Sequence, residues 1–301
     1  MEVGVALPAY PLGPGQVFGL GPVADHAKRA EELGFDSVWV MDHIIVEGEH
    51  GRIGAPDPLM TLAFVAGRTS RIRLGTAVLC NSFRHPGQLA REAAALAGAA
   101  PGRLILGIGA GWYEPEYRAF GFPYDHRVSR LEETLRVLRP LLKGERADLA
   151  GRYVTMEGAQ VLGAGPAPPI WMGGGGDRML RLTVEHADGW NWGWSGPNVE
   201  PFARNLARLR ATGELRPGFE ASVCLLVLPV EGDERTAALD RASRLGGRFW
   251  NQAPPDERAV IGGPVRIAEA LRAYEQAGAS HAILNLSPAP HALLDWSYLD
   301  R

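Results

Sequence analysis

A chain of 301 residues, 46% of them hydrophobic, can bury one large core or two ordinary ones. Its 31 basic and 34 acidic residues leave a formal charge of −3, and the Lys and Arg are scattered, which argues against a nucleic-acid partner. Two cysteines, Cys80 and Cys224, exclude a disulfide scaffold and a cysteine-based metal site.

The first residues, MEVGVALPAYPLG, lack a basic segment and a long apolar segment, so no signal peptide is expected. No run approaches the length of a membrane span, and a cytoplasmic protein is the natural expectation. Val3 to Leu7 is a short apolar run. PVADHAKRAEELG then sets Val23, Ala27, Ala30 and Leu33 at helical spacing, with Gly34 as the stop. VWVMDH (38–43) reads as a strand buried on both faces that ends in Asp42 and His43. DPLMTLAFVAGRT is a second helix, IRLGTAVL (72–79) a third strand, PGQLAREAAALAGAAPG a third helix and RLILGIG (103–109) a fourth strand. RLEETLRVLRPLL carries Leu131, Leu135, Leu138 and Leu142 on one stripe. PIWMGG (169–174) is a strand, followed by a helix with Leu180, Val184 and Ala187 that Gly189 stops. GWNWGW is a short strand or its edge, and PNVEPFARNLARLRATG a helix. ASVCLLVLPV (221–230) is a strand, PVRIAEALRAYEQAG a helix opened by Pro264, and HAILNL (281–286) the last strand.

Strands alternating with helices in about eight units predict an α/β fold, a closed (β/α)8 TIM barrel forming one domain over residues 1–301. Residues 112–127, 144–168 and 248–263 break the rhythm as insertions at the C-terminal mouth, the second with a small hairpin at RYVTMEG. Barrel active sites are built at that mouth. There the strands end in Asp42 and His43, in Cys80, Asn81 and Ser82, in GAGW (109–112), in GGGGD (173–177), in Asn191, Trp192 and Trp194, and in Asn285 and Ser287.

Gly173, Gly174, Gly175 and Gly176 precede a helix, where unpaired N–H groups and the dipole suit a phosphate. The alternative is a tight turn with Asp177 as N-cap. There is no P-loop motif and no GxGxxG after the first strand. His43 is either a hydrogen-bonded strand-end histidine or a chemical group. A metal site is not expected, because His85, His126, His186 and His281 stand at helix starts, in loops or at strand starts. Trp112, Trp192, Trp194 and Trp250 are packing residues taken singly, and a flat aromatic pocket taken as a set.

VALP, GFDSVWVMDH, LGTAVL, GRLILGIGAGWYEPEYRAFGFPYDHRVSRLEETLRVL and PPIWMGGGGDRMLRLTVEHADGWN resemble the luciferase-like monooxygenase family over residues 1 to 195. The last two blocks resemble its branch of coenzyme F420-dependent oxidoreductases. The resemblance implies a barrel with a deazaflavin or flavin ring at the C-terminal mouth, its phosphate at Gly173–Gly176, and contributions from Gly109 and Gly111. It implies a non-prolyl cis peptide at Ala77–Val78, beside Cys80, behind the ring. It puts Asp42 on the cofactor and His43 on the substrate as general acid or base. Sugar-phosphate dehydrogenases of the family carry a glutamate where this chain has Trp112 and Tyr113. Sugar-phosphate oxidation is therefore not expected, and the apolar pocket of Trp112, Trp192 and Trp194 favours an aromatic, aliphatic or enone-like substrate. Glu116 and Tyr117 are read as structural, pairing with Arg127 or Arg130 over the rim. The alternatives are an FMN-dependent monooxygenase using O₂ and reduced flavin from a separate reductase, a cofactor-free lyase or hydrolase, and a non-catalytic flavin-binding protein; a flavin or F420 reductase, according to the cofactor, is the expected partner. Members of the family are often dimers, and the Ala-rich helix at 89–100 would serve a homodimer.

Overall fold

The computed structural model describes residues 1–8, 19–48, 51–230, 232, 236–237, 239–240 and 255–286. Trp250 and Ser287, both singled out above, lie outside the described residues. Eight parallel strands close a barrel: β1 (Glu2–Ala6), β2 (Ser37–Val40), β5 (Arg73–Thr76) continued by β6 (Leu79–Cys80), β7 (Leu104–Gly109), β10 (Ile170–Gly173), β11 (Gly189–Ser195), β12 (Glu220–Pro229) and β14 (His281–Asn285). Closure is made where Ile170 of β10 pairs with Leu106 of β7 and where Glu2 of β1 pairs with His281 of β14. Among the described residues the helices include α1 (Leu20–Glu32), α2 (Pro58–Ala66), α3 (Pro86–Ala99), α4 (Glu114–Phe120), α5 (Arg127–Leu142), α6 (Asp177–His186), α7 (Glu200–Thr212), α8 (Pro255–Arg258) and α9 (Pro264–Gln276). None of them is long and apolar enough to cross a membrane.

The strands form because their side chains are buried on both faces. Every residue of β2 and β7 is buried, as parallel strands roofed by helices require. The stripe on α5 faces inward as its spacing demands, with Leu131, Leu135, Leu138 and Leu142 all buried. α2 starts on Pro58, and the Asp57 side chain accepts from the Met60 N–H at 3.0 Å. Inside the barrel, Ala6, Trp39, Ile105, Trp171, Cys224 and Ile283 pack together, the two indole rings 5.1 Å apart. Neighbouring strands make room for them with glycine at the paired position: a Cβ at Gly75 would stand 2.2 Å from Trp39, and one at Gly189 2.5 Å from Trp171.

The structure departs from the sequence expectation at several boundaries. Leu33 lies past the end of α1 and is exposed. Gly189 does not stop α6, which ends at His186; it opens β11, a full seven-residue strand. Asp177 is not an N-cap but the first helical residue, with Gly176 as the cap. Between β2 and α2 a hairpin is added, β3 (Ile45–Gly48) with β4 (Gly51–Gly54), and the 112–127 insertion contains α4. The 144–168 insertion is the expected hairpin, β8 (Ala147–Ala150) with β9 (Thr155–Ala159), but it joins the end of α5 to the start of β10, so it is rooted at the N-terminal end of the barrel and not at the mouth. The short β13 (Val260–Gly262) pairs in parallel beside the end of β12, Val260 opposite Val227.

Candidate active site

A cavity of about 520 Å³ opens at the C-terminal mouth. Asp42, His43, Ala77, Val78, Cys80, Gly109, Gly111, Gly173, Gly174, Trp112, Trp192 and Trp194, all singled out from the sequence, line it. Gly175 and Gly176 do not. Gly175 is packed under Trp192, where a Cβ would meet the ring at 2.6 Å, and its carbonyl accepts from Arg208 Nη1 at 3.2 Å. Gly176 has open space around it, and of the four glycines only Gly174 takes a left-handed φ, +122°.

The floor is made where β5 breaks. The Ala77–Val78 peptide is cis, and Val78 lies between two glycines of neighbouring strands. A Cβ at Gly109 would meet Val78 Cγ2 at 3.0 Å, and one at Gly173 would meet it at 2.8 Å. Past the break, the strand is tied to β2 by the carboxylate of Asp42, which accepts the Cys80 N–H at 2.7 Å. The same carboxylate takes both guanidinium nitrogens of Arg84, whose Nη2 also reaches Asp57. Burial pushes the Asp42 carboxyl up, and Arg84 and the Cys80 amide pull against that. Asp42 is thus at the cavity wall, but its oxygens already serve protein donors, a use the sequence did not disclose. Burial also pushes the Cys80 thiol up to about 11, so it is held as a thiol against Tyr117 Oη at 3.0 Å rather than poised as a nucleophile.

Glu116 and Tyr117 do not pair with Arg127 or Arg130. Arg127 stacks over the Tyr124 ring and Arg130 binds Asp125. α4 instead turns Glu116 inward, where Oε2 lies 3.0 Å from His43 Nδ1 and Oε1 accepts the N–H groups of Ile44 and Ile45. Trp112 and Tyr113 set their rings edge-on to His43, with centroids at 5.8 and 6.1 Å. Tyr117 donates to the Ala110 carbonyl at 2.9 Å and fixes the turn after β7.

The shape fits a flat ring system. Val78 and the two glycines beside it form a smooth floor, Trp192, Trp194 and Met179 line the walls, and the acidic and imidazole lining residues Asp42, His43 and Glu116 come from the β2 and α4 side. At Gly193, also on the wall, a Cβ would find nothing within 4 Å.

The model of a family described as luciferase-like monooxygenase matches residues 1–257. An F420-dependent glucose-6-phosphate dehydrogenase of Nakamurella multipartita is 32% identical over 306 residues, covering 94% of this chain and 84% of that protein. One of the same description from Kineococcus radiotolerans is 36% identical over 210 residues, 68% of this chain, and the match spans only 60% of that protein's length. Among solved structures, an F420-dependent secondary alcohol dehydrogenase in complex with an F420-acetone adduct superposes with a TM-score of 0.79 at 19% identity, over 97% of this chain and 94% of that one. The monooxygenase RslO1 of Streptomyces bottropensis gives 0.78 at 25% identity, over 95% and 92%.

Proposed function

This chain belongs to the luciferase-like monooxygenase family, and from that membership we propose an F420-dependent oxidoreductase that moves a hydride between the deazaflavin and a small uncharged substrate at the barrel mouth. The observation that carries the reading is the convergence of Asp42, His43 and Glu116 on one side of a cavity floored by Val78 between two glycines. When bound, F420 supplies the hydride acceptor or donor. Ala77, Val78, Gly109 and Gly173 would seat its ring, with Gly174 and the start of α6 toward its phosphate. His43 accepts the proton of a substrate hydroxyl in the oxidising direction and donates one to a carbonyl oxygen in the reducing direction. Trp112, Trp192 and Trp194 exclude water and hold an apolar substrate.

The relatives are described as acting on glucose 6-phosphate, yet this cavity argues against a sugar phosphate. Among the described residues its lining contains no Lys or Arg to pair with a phosphate, and Trp112 stands beside His43. Anaerobic turnover with F420 against secondary alcohols, ketones, activated alkenes and glucose 6-phosphate tests this. Turnover is expected with an uncharged compound and not with the sugar phosphate. Efficient turnover of glucose 6-phosphate would overturn the substrate reading.

A second reading, an FMN-dependent monooxygenase using O₂, is favoured by the likeness to RslO1. The same ring seat would serve it, with a separate reductase as partner. We read residues 1–301 as one barrel domain of a cytoplasmic homodimer. In support, α2 leaves Met60 and Phe64 exposed beside the Ala-rich α3, whose Ala95 and Ala99 are also exposed.

A further inference from the structure

We infer that Glu116 selects the reactive tautomer of His43, which makes it a positioning residue of this site. The inference deepens the function proposed above and rests on it only for what His43 does to a substrate. Glu116 is almost completely buried, its side chain 2% exposed. Its Oε1 receives two obligate donors, the backbone N–H groups of Ile44 at 2.5 Å and Ile45 at 3.0 Å. That oxygen can only accept. Its Oε2 faces His43 Nδ1 at 3.0 Å. An ionised carboxylate accepts at both oxygens, so Nδ1 must carry a proton and donate it. The neutral ring then has its lone pair on Nε2. The protonated ring keeps the same Nδ1–H bond and adds a proton at Nε2. Proton transfer in either direction therefore runs through one nitrogen, with no ring flip and no change at Nδ1. Because the Ile44 and Ile45 amides directly follow His43 in the chain, the one carboxylate holds both the ring and the backbone that carries it.

Glutamine at this position separates the tautomer from the packing. It has nearly the same shape, but one acceptor and one donor group. The two amides dictate that its carbonyl oxygen takes the Oε1 place, so its NH₂ faces Nδ1. Nδ1 must then accept, and the neutral ring carries its proton on Nε2. Protonating that ring would set an N–H against an N–H.

The test is the imidazole ¹⁵N spectrum of the full-length, cofactor-free protein at a pH where its histidines are neutral. His43 is identified by the signals lost in His43→Ala. The wild type is expected to show a protonated, pyrrole-type Nδ1 and a pyridine-type Nε2, and Glu116→Gln the reverse. With F420 and a turned-over substrate, kcat in Glu116→Gln is expected to fall about 10³–10⁴-fold, the scale of a wrong-tautomer histidine elsewhere, with KM and F420 affinity changed less than about threefold. An Nε2–H tautomer in the wild type overturns the inference even if Glu116→Gln fails to fold. The same tautomer in both proteins overturns it as well. The expected tautomers in a protein that transfers no hydride would leave Glu116 in its role and refute the proposed function instead.

Discussion

Asp42 and His43 are chain neighbours with different partners, and the partners set their roles. Asp42 is buried and answers Arg84 and the Cys80 amide, so it clamps the broken strand β5–β6 onto β2. Arg84→Leu would leave that carboxylate buried and uncompensated, a loss of about 3–5 kcal/mol that a urea melt would read. Adding Asp42→Asn should restore part of it; no recovery would mean the cost lies in packing. Gly111 has φ +75°, and a Cβ there would stand 2.0 Å from Tyr117 Oη and 2.5 Å from Cys80 Sγ. Gly111→Ala is expected to cost about 1–3 kcal/mol or more and to displace Tyr117, observable as a lowered melting temperature. The acid and imidazole were legible because they end an apolar run. Glu116 was not, since it lies 73 residues from His43 and two of its three partners are backbone amides, which leave no mark in a sequence.

At the scale of elements, short continuous apolar runs located the barrel strands, which are buried on both faces, and helical spacing located the helices that roof them, which bury one. The elements that shape the mouth were harder to read. The hairpin of β3 and β4 and the seven-residue helix α4 are too short for a stripe to announce them, and only the Gly- and Pro-rich breaks marked the second. The glycine run was legible as a ligand seat, but its parts differ: Gly173 admits Val78, Gly174 makes the turn, and Gly175 lies under Trp192. Gly173→Ala forces a contact of 2.8 Å on Val78 Cγ2, beneath the proposed ring. We expect F420 affinity to weaken about tenfold or more, the effect of 1–3 kcal/mol of overpacking, in a fluorescence titration. Unchanged affinity would place the ring elsewhere.

For the molecule as a whole, pH acts through the opposite end of the barrel. His281 is fully buried there, its Nε2 at 2.8 Å from Ser37 Oγ, and burial aided by Arg73 holds its pKa down to about 4. An unfolded histidine titrates near 6.5 (about the free value), so between these limits the unfolded chain binds the extra proton. This contribution to stability is complete above about pH 6.5 and is lost as pH falls toward 4, by up to about 1.4 kcal/mol per pH unit. Urea midpoints measured from pH 7 to 4.5 should fall accordingly, and His281→Gln should flatten the curve. A flat wild-type curve would contradict the assignment. This titration sits at the N-terminal end, while the mouth carries Gly109, Gly111, Gly173 and Gly174, the broken strand and the 112–127 insertion, a division that lets the site vary on a fixed frame. The central claim is that this mouth is an F420 seat. Its most direct test is a parallel fluorescence titration of the full-length protein with F420 and with FMN, each oxidised and reduced. Binding of F420 with little response to FMN is the predicted result; preference for reduced FMN, or binding of neither, would contradict it.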